Sequence, residues 1–247
     1  MTMIRAQVVP LCGVLLRMSG CWGRAGGVNI WDAVENGDAD GIGNFALANG
    51  NLDVRSLGGV TPLWVALSEE NRPSYEALLE YGADPNVIMS GKRVVTHWAA
   101  MKEDPWWLRL ALEHGADPNL VNTGTGAPSE GTPLMYAMTG IHDGWIENVK
   151  LLVEYGADID KPDRYGCPPL LIAANQTKLE IVLYLLDAGA DYRAAKCHSE
   201  SFVERIRNMV ENRNRWYRRE KERRGVDAIQ AWLEDHGEDV GEPLPPE

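Results

Sequence analysis

One phrase recurs along the chain and restricts its fold more than any other feature. Gly-Ala-Asp stands at Gly82-Ala83-Asp84, Gly115-Ala116-Asp117, Gly156-Ala157-Asp158 and Gly189-Ala190-Asp191, with a looser Gly50-Asn51-Leu52 ahead of them. The glycines are 32, 33, 41 and 33 residues apart. Each closes an apolar run at helical spacing: Ala77, Leu78 and Leu79 before Gly82; Leu108, Ala111 and Leu112 before Gly115; Val149, Leu151 and Leu152 before Gly156; Val182, Leu185 and Leu186 before Gly189. A glycine one step past such a run takes positive φ without a Cβ clash and caps the helix C-terminus. The spacing therefore predicts one helix ending at each glycine.

A shorter helix is written upstream of each of these, most clearly in Thr61-Pro62-Leu63-Trp64-Val65-Ala66 and Thr132-Pro133-Leu134-Met135-Tyr136-Ala137. Thr offers an N-cap oxygen to orphan amides, and Pro at the first helical position has the right φ and no amide to satisfy. Asn71-Arg72-Pro73 and Asp104-Pro105 mark the break before the second helix in the first two full units. The unit is thus a turn and two antiparallel helices.

On these residues the chain resembles the ankyrin-repeat family, whose unit of about 33 residues carries the signature T-P-L-H-x-A. The two phrases above match it, as do the diverged Val94-Val95-Thr96-His97-Trp98-Ala99 and Pro168-Pro169-Leu170-Leu171-Ile172-Ala173; only His97 fills the signature His position. The third unit is eight residues longer than its neighbours (41 against 33), mainly in Asn122–Gly131 and Gly140–Gly144. The resemblance implies an all-α ankyrin-repeat solenoid with short β-hairpin fingers. The expected domain covers residues 28–240: an N-terminal cap at 28–56, four repeats at 57–192 and an extended C-terminal cap at 193–240, with a disordered tail at 241–247 rich in Pro and acid.

In the C-terminal cap, Glu200 to Arg224 reads as one long helix with Phe202, Val203, Ile206, Met209 and Val210 inward, followed by a helix over Val226–His236. Arg205 to Arg224 holds nine Arg or Lys against three Glu, a local net charge of +6 in a chain of −12. An amphipathic basic helix can meet nucleic acid or an anionic membrane. The alternative, which the acidic body favours, is the solvated face of a cap. The overall charge opposes nonspecific attraction to phosphate backbones, so no nucleic-acid partner is expected, and it suits a basic protein partner.

Met1 to Gly27 lie outside the repeats. Arg5 precedes a moderately apolar run, Ala6 to Leu16, and then Met18-Ser19-Gly20-Cys21. A basic start, an apolar stretch and small residues before a cleavage point describe a secretory signal. These last four residues resemble a bacterial lipobox, which implies acylation of Cys21 and, with Trp22 next, an outer-membrane-anchored periplasmic lipoprotein touching the membrane only through its lipid. The alternative is translation from Met18 and a cytoplasmic scaffold or adaptor without an anchor.

No catalytic, cofactor-binding or metal-binding set is expected. His142-Asp143 has no nucleophile at an elbow, Ser129 lacks the flanking glycines of one, and Asn122–Gly131 is glycine-rich but has no phosphate-binding Lys after it. His114 stands where a cation suits a helix end. His97, by resemblance, bonds backbone groups across the turn. Trp107 reads as core and Trp106 as outward. Cys167 and Cys197 fall near successive fingers, where pairing is open in an oxidising compartment.

Ankyrin arrays bind other proteins on a concave surface of finger tips and first helices, and the resemblance implies the same here. In register, the partner-binding residues are Trp64, Ser68, Arg93, His97, Met101, Glu130, Met135, Arg164, Tyr165, Asn175 and Gln176. The implied function is a non-enzymatic, monomeric binding module. As an exported lipoprotein it would capture and block a protein, by analogy the immunity protein of a secreted type VI effector.

Overall fold

The computed structural model describes residues 23–90, 94–121, 131–139, 145–212 and 219–242. Cys21 and the signal segment, Arg93, Glu130 with the rest of 122–130, residues 140–144, residues 213–218 and the tail from 243 onward lie outside them. The described residues form a succession of helix pairs joined by turns. A β-ribbon (β1, Arg24–Ala25; β2, Val28–Asn29) leads into α1 (Ile30–Asn36) and α2 (Ala39–Leu47). Then come α3 (Pro62–Ser68) with α4 (Arg72–Glu80), α5 (Val95–Ala100) with α6 (Trp106–Glu113), α7 (Pro133–Ala137) with α8 (Trp145–Glu154), and α9 (Pro169–Asn175) with α10 (Leu179–Asp187). A second ribbon (β3, Lys196–Cys197; β4, Glu200–Ser201) precedes α11 (Phe202–Glu211) and α12 (Glu220–Asp235).

These residues pack as two compact units, one drawn from Met1–Val95 with Leu110–Ala116, the other from Thr96–Arg109 with Asp117–Glu247. In the first, α1 packs on α2 and α3, and α4 on α2 and α3. In the second, α7 pairs with α8 and α9 with α10, α9 rests on α7 and α11, and α12 covers α10 and α11. Fully buried Leu63, Leu67, Leu78 and Tyr75 fill the first, and Leu134, Leu170, Val182, Leu185, Phe202 and Ile229 the second.

The helix boundaries follow the local chemistry. Thr61 accepts the Trp64 amide at 3.4 Å to start α3, Asn71 accepts Ser74 N to start α4, and Asp104 accepts Trp106 N at 2.9 Å ahead of α6. Gly82, Gly115, Gly156 and Gly189 all have φ between 85° and 92°. A Cβ at any of them would meet nothing within 4 Å, so the backbone angle, not crowding, selects glycine.

Successive units are held in register by Asx side chains. The Asn86 side-chain amide donates to Gly115 O at 2.9 Å. Asn119 donates to Gly156 O at 2.8 Å and accepts Asp158 N at 2.8 Å. Asp53 accepts Asp84 N and Asp160 accepts Asp191 N, each at 3.0 Å. The Gly-Ala-Asp phrase is therefore gripped by an Asx from the unit before it.

One expectation needs correction. Glu200–Arg224 is not one helix: a capping box of Ser201 and Glu204 starts α11, which ends at Glu211, and the C-cap Asn212 turns its side-chain amide back onto Asn208 O at 3.0 Å. The break lets α12 run back over the apolar side of α11 and α10, burying Val226, Ile229 and Leu233, and past its C-cap His236 the chain turns at Gly237 with φ 84°. The C-terminal segment thus has the grammar of a further helix-pair unit. Among its described cations, Arg207 donates to Asp239 O, while Arg223 and Arg224 face Glu220. Val240, the last residue of the expected cap, is buried, and Gln230 donates to Gly241 O.

Candidate functional site

In three of the four repeats the signature-His position points inward, which corrects two of the residues expected to be exposed to a partner. His97 and Met135 are buried, as is Leu171 at the same position of α9. His97 Nε2 lies 3.1 Å from Gly131 O; a carbonyl only accepts, so Nε2 carries the proton. The ring meets that of Tyr136 edge-on at 4.8 Å. Burial lowers the His97 pKa to about 4, the Gly131 carbonyl partly offsetting it. A neutral, enclosed imidazole joins one unit to the next and has no surface to offer a partner. Met135, in the middle of α7, is enclosed in the same way.

The outward positions lie elsewhere on the same helices. Next to His97, Trp98 is 40% exposed, and Met101 at the end of that helix is half-buried. At the end of α9, Asn175 and Gln176 are exposed. Ahead of α9 a tight turn is built by Asp163, which accepts Tyr165 N and Cys167 N at 2.8 and 2.9 Å. It lifts Arg164 and Tyr165 into solvent, where the guanidinium stacks 4.6 Å from the ring centroid and donates to the hydroxyl. In the first unit Trp64 is half-buried and Ser68 exposed, and Leu57 stands 71% exposed on the turn between Ser56 and Val60. Ile88, whose carbonyl takes a 2.8 Å bond from Arg55, is another exposed apolar side chain in that unit.

Trp98, Leu57 and Ile88 are absent from the sequence-derived set. Their signal was present for Trp98: it occupies the x of the signature, which on a six-residue helix is turned away from the buried His beside it. For Leu57 and Ile88 an apolar residue in a turn carries no direction until the turn is seen. Trp107 is buried as expected, and Trp106 is half-buried, its ring edge-on to Trp107 at 4.9 Å.

Chemically, the outward residues named above are neutral or cationic. Lys178, at the start of α10, has its pKa lowered to about 8 by burial. One cluster of potential metal-binding atoms is found among the described residues: Cys167, Cys197 and His198, the two cysteines joined by a disulfide with Cα atoms 4.5 Å apart. None of the described helices is long and apolar enough to cross a membrane.

A family model described as ankyrin repeats (three copies) matches residues 96–196. The chain is 39% identical over 142 residues to protein PhlB of Serratia liquefaciens, covering 58% of this chain and 59% of that one. It is 50% identical over 52 residues to protein phosphatase 1 regulatory subunit 27 of Mus musculus, 21% of this chain and 34% of that one. The chain thus spans less than two thirds of either relative. In three dimensions it is similar to the crystal structure of EF0377, an ankyrin repeat protein, at TM-score 0.62 and 25% identity, over 82% of this chain and 96% of that one.

Proposed function

Because the chain belongs to the ankyrin-repeat family, a protein–protein interaction module, we propose that it is a non-enzymatic, monomeric binder that captures and blocks another protein. The observation that carries this reading is exposed Trp98, with Asn175, Gln176 and the stacked Arg164–Tyr165 pair on the outward ends and turns of its own unit. Trp, Tyr and Arg are the side chains that dominate interface energies, and holding them on a short helix and a hydrogen-bonded turn limits the entropy lost on docking. The net charge of −12 favours a basic partner.

The exported form is the reading we favour. Met18-Ser19-Gly20-Cys21 supplies a lipobox, with Cys21 acylated and Trp22 directing the chain to the outer membrane's periplasmic face. The Cys167–Cys197 disulfide supports it, since such bonds persist in oxidising compartments. A compact acidic lipoprotein of this kind suits an immunity protein that covers the active-site entrance of a secreted type VI effector, an analogy of class and not of residues.

Fractionation with mass spectrometry of the N-terminus tests export: a diacyl- or triacyl-modified Cys21 in the membrane fraction is the expected result, and intact residues 1–20 in the soluble fraction would leave the cytoplasmic adaptor in its place. Co-purification with a lipase, amidase or nuclease encoded beside this gene tests the immunity role. A neighbour of that kind that fails to bind, and whose toxicity persists on co-expression, would remove it.

A further inference from the structure

Cys167, Cys197 and His198 are brought together by two turns 30 residues apart in sequence. Cys167 ends the Asp163 turn, its amide held by the Asp163 carboxylate at 2.9 Å, and is buried. Cys197 and His198 lie at the tip of the β3–β4 ribbon, where Cys197 pairs with Glu200. His198 has φ 58°, a conformation that a residue with a Cβ adopts at a cost and that Gly or Asn would take more easily. There its imidazole turns back, Nδ1 lying 3.2 Å from Cys197 Sγ. The three donor atoms all fall within 4.8 Å of one another. Two sulfurs and an imidazole nitrogen are a thiophilic donor set, and tetrahedral zinc, with Zn–S of about 2.3 Å, asks for sulfurs about 3.7 Å apart.

We infer that this triad is a zinc site in the reduced protein, with Cys167 Sγ, Cys197 Sγ and His198 Nδ1 as ligands and the fourth position left to water. The disulfide and the metal are alternative occupants of one place. A dithiol reductant gives two electrons and two protons to the Cys167–Cys197 bond and becomes a cyclic disulfide. Zn2+ then displaces the two thiol protons, so the site carries two thiolates, one neutral imidazole and no net charge. Either occupant ties the turn bearing Arg164 and Tyr165 to the last helix-pair unit. The site stands on its own geometry and does not depend on the proposed function.

The test uses the full chain with Cys12→Ser and Cys21→Ser, so that only the two site thiols remain. A phosphine with one water opens the disulfide, leaving phosphine oxide and two thiols, and Co2+ is titrated in as the spectroscopic probe under anaerobic conditions. A thiolate-to-cobalt charge-transfer band saturating at one equivalent, with the strong visible bands of a tetrahedral ion, release of two protons and displacement by Zn2+, is the expected result. Absence of that band would overturn the proposal. His198→Asn keeps a residue that tolerates the turn, and should still form the disulfide on oxidation while binding Co2+ at least tenfold more weakly. A smaller loss would overturn the assignment of His198. If this variant does not form the disulfide, the His198 ring resonances of the unsubstituted residue decide: they shift with one equivalent of Zn2+, or the proposal fails.

Discussion

Replacing Asp53 and Asp160 together by Asn should make the protein more stable at neutral pH. Asn86 and Asn119 each give an amide hydrogen to the glycine carbonyl of the next Gly-Ala-Asp phrase, Gly115 at 2.9 Å and Gly156 at 2.8 Å. Asp53 and Asp160 stand in the same relation to Asp84 and Asp191 but can only accept. Partial burial raises both carboxyl pKa values; the Asp84 or Asp191 amide lowers them, and the neighbouring carboxylates, Asp84 for one and Asp191 and Asp158 for the other, raise them. An amide keeps the accepted bond, adds a donor for Gly82 O or Gly189 O, and removes a carboxylate from beside another. A net hydrogen bond contributes about 0.5–1.5 kcal/mol, and these sites are half-exposed or exposed, so the lower half of that range applies to each. The pair should gain about 1–2 kcal/mol, or roughly 3–6 °C in Tm for a chain of this size. The sign with pH is fixed by linkage. A raised folded-state carboxyl pKa means the folded parent binds more protons, so its stability falls as pH rises from 3.8 through the raised value, and the amide variant escapes this loss. Urea unfolding of parent and variant at pH 7 and pH 3.5 should show a gain at the first that shrinks at the second. A variant no more stable than its parent at pH 7, or an equal gain at both, would refute the reasoning. The reciprocal Asn119→Asp should cost about 1 kcal/mol at pH 7.

Three further expectations come from the interior. His97 titrates near 4 when folded and near 6.5 when unfolded, so the unfolded chain takes up its proton first; stability should fall by roughly 3 kcal/mol as pH drops from 6.5 to 4, and His97→Gln should flatten that slope in urea melts. The buried Asn148 amide donates to both Ala100 O (3.1 Å) and Lys102 O (2.7 Å), so Asn148→Leu should cost about 2–3 kcal/mol, read by chemical denaturation. Gly225 lies inside α12, where helix propensity alone favours Ala, yet a Cβ there would sit 2.7 Å from Leu179 Cδ1; Gly225→Ala should lower Tm, and a rise would mean that α12 does not press on α10 so closely.

The parts of this fold that were legible in the sequence are those fixed within a few residues. Gly82, Gly115, Gly156 and Gly189 announce positive φ, Thr61 and Asn71 announce caps, and the apolar periods between them give the second helices. What escaped depended on contacts between units. The inward turn of His97 and Met135 is decided by packing against the neighbouring unit, and nothing local distinguishes it from the outward turn of Trp98. The helix break after Glu211 was hidden because Arg and Glu continue a helical composition across it; only the burial of Val226, Ile229 and Leu233 over α10 and α11 requires the chain to double back. The Asx register was spelled in Gly-Ala-Asp-Pro-Asn at Gly82–Asn86 and Gly115–Asn119, but its meaning lies about 30 residues away.

Isothermal titration calorimetry of the chain against the secreted enzyme encoded beside its gene tests the binding reading most directly, run in parallel with Trp98→Ala and the Arg164→Ala, Tyr165→Ala double variant. The expected result is a one-to-one complex that silences the enzyme and is weakened at least tenfold by each substitution while the variants keep the parent's Tm. Equal affinity for parent and variants, or hydrolysis of the enzyme's substrate by this chain alone, would contradict it.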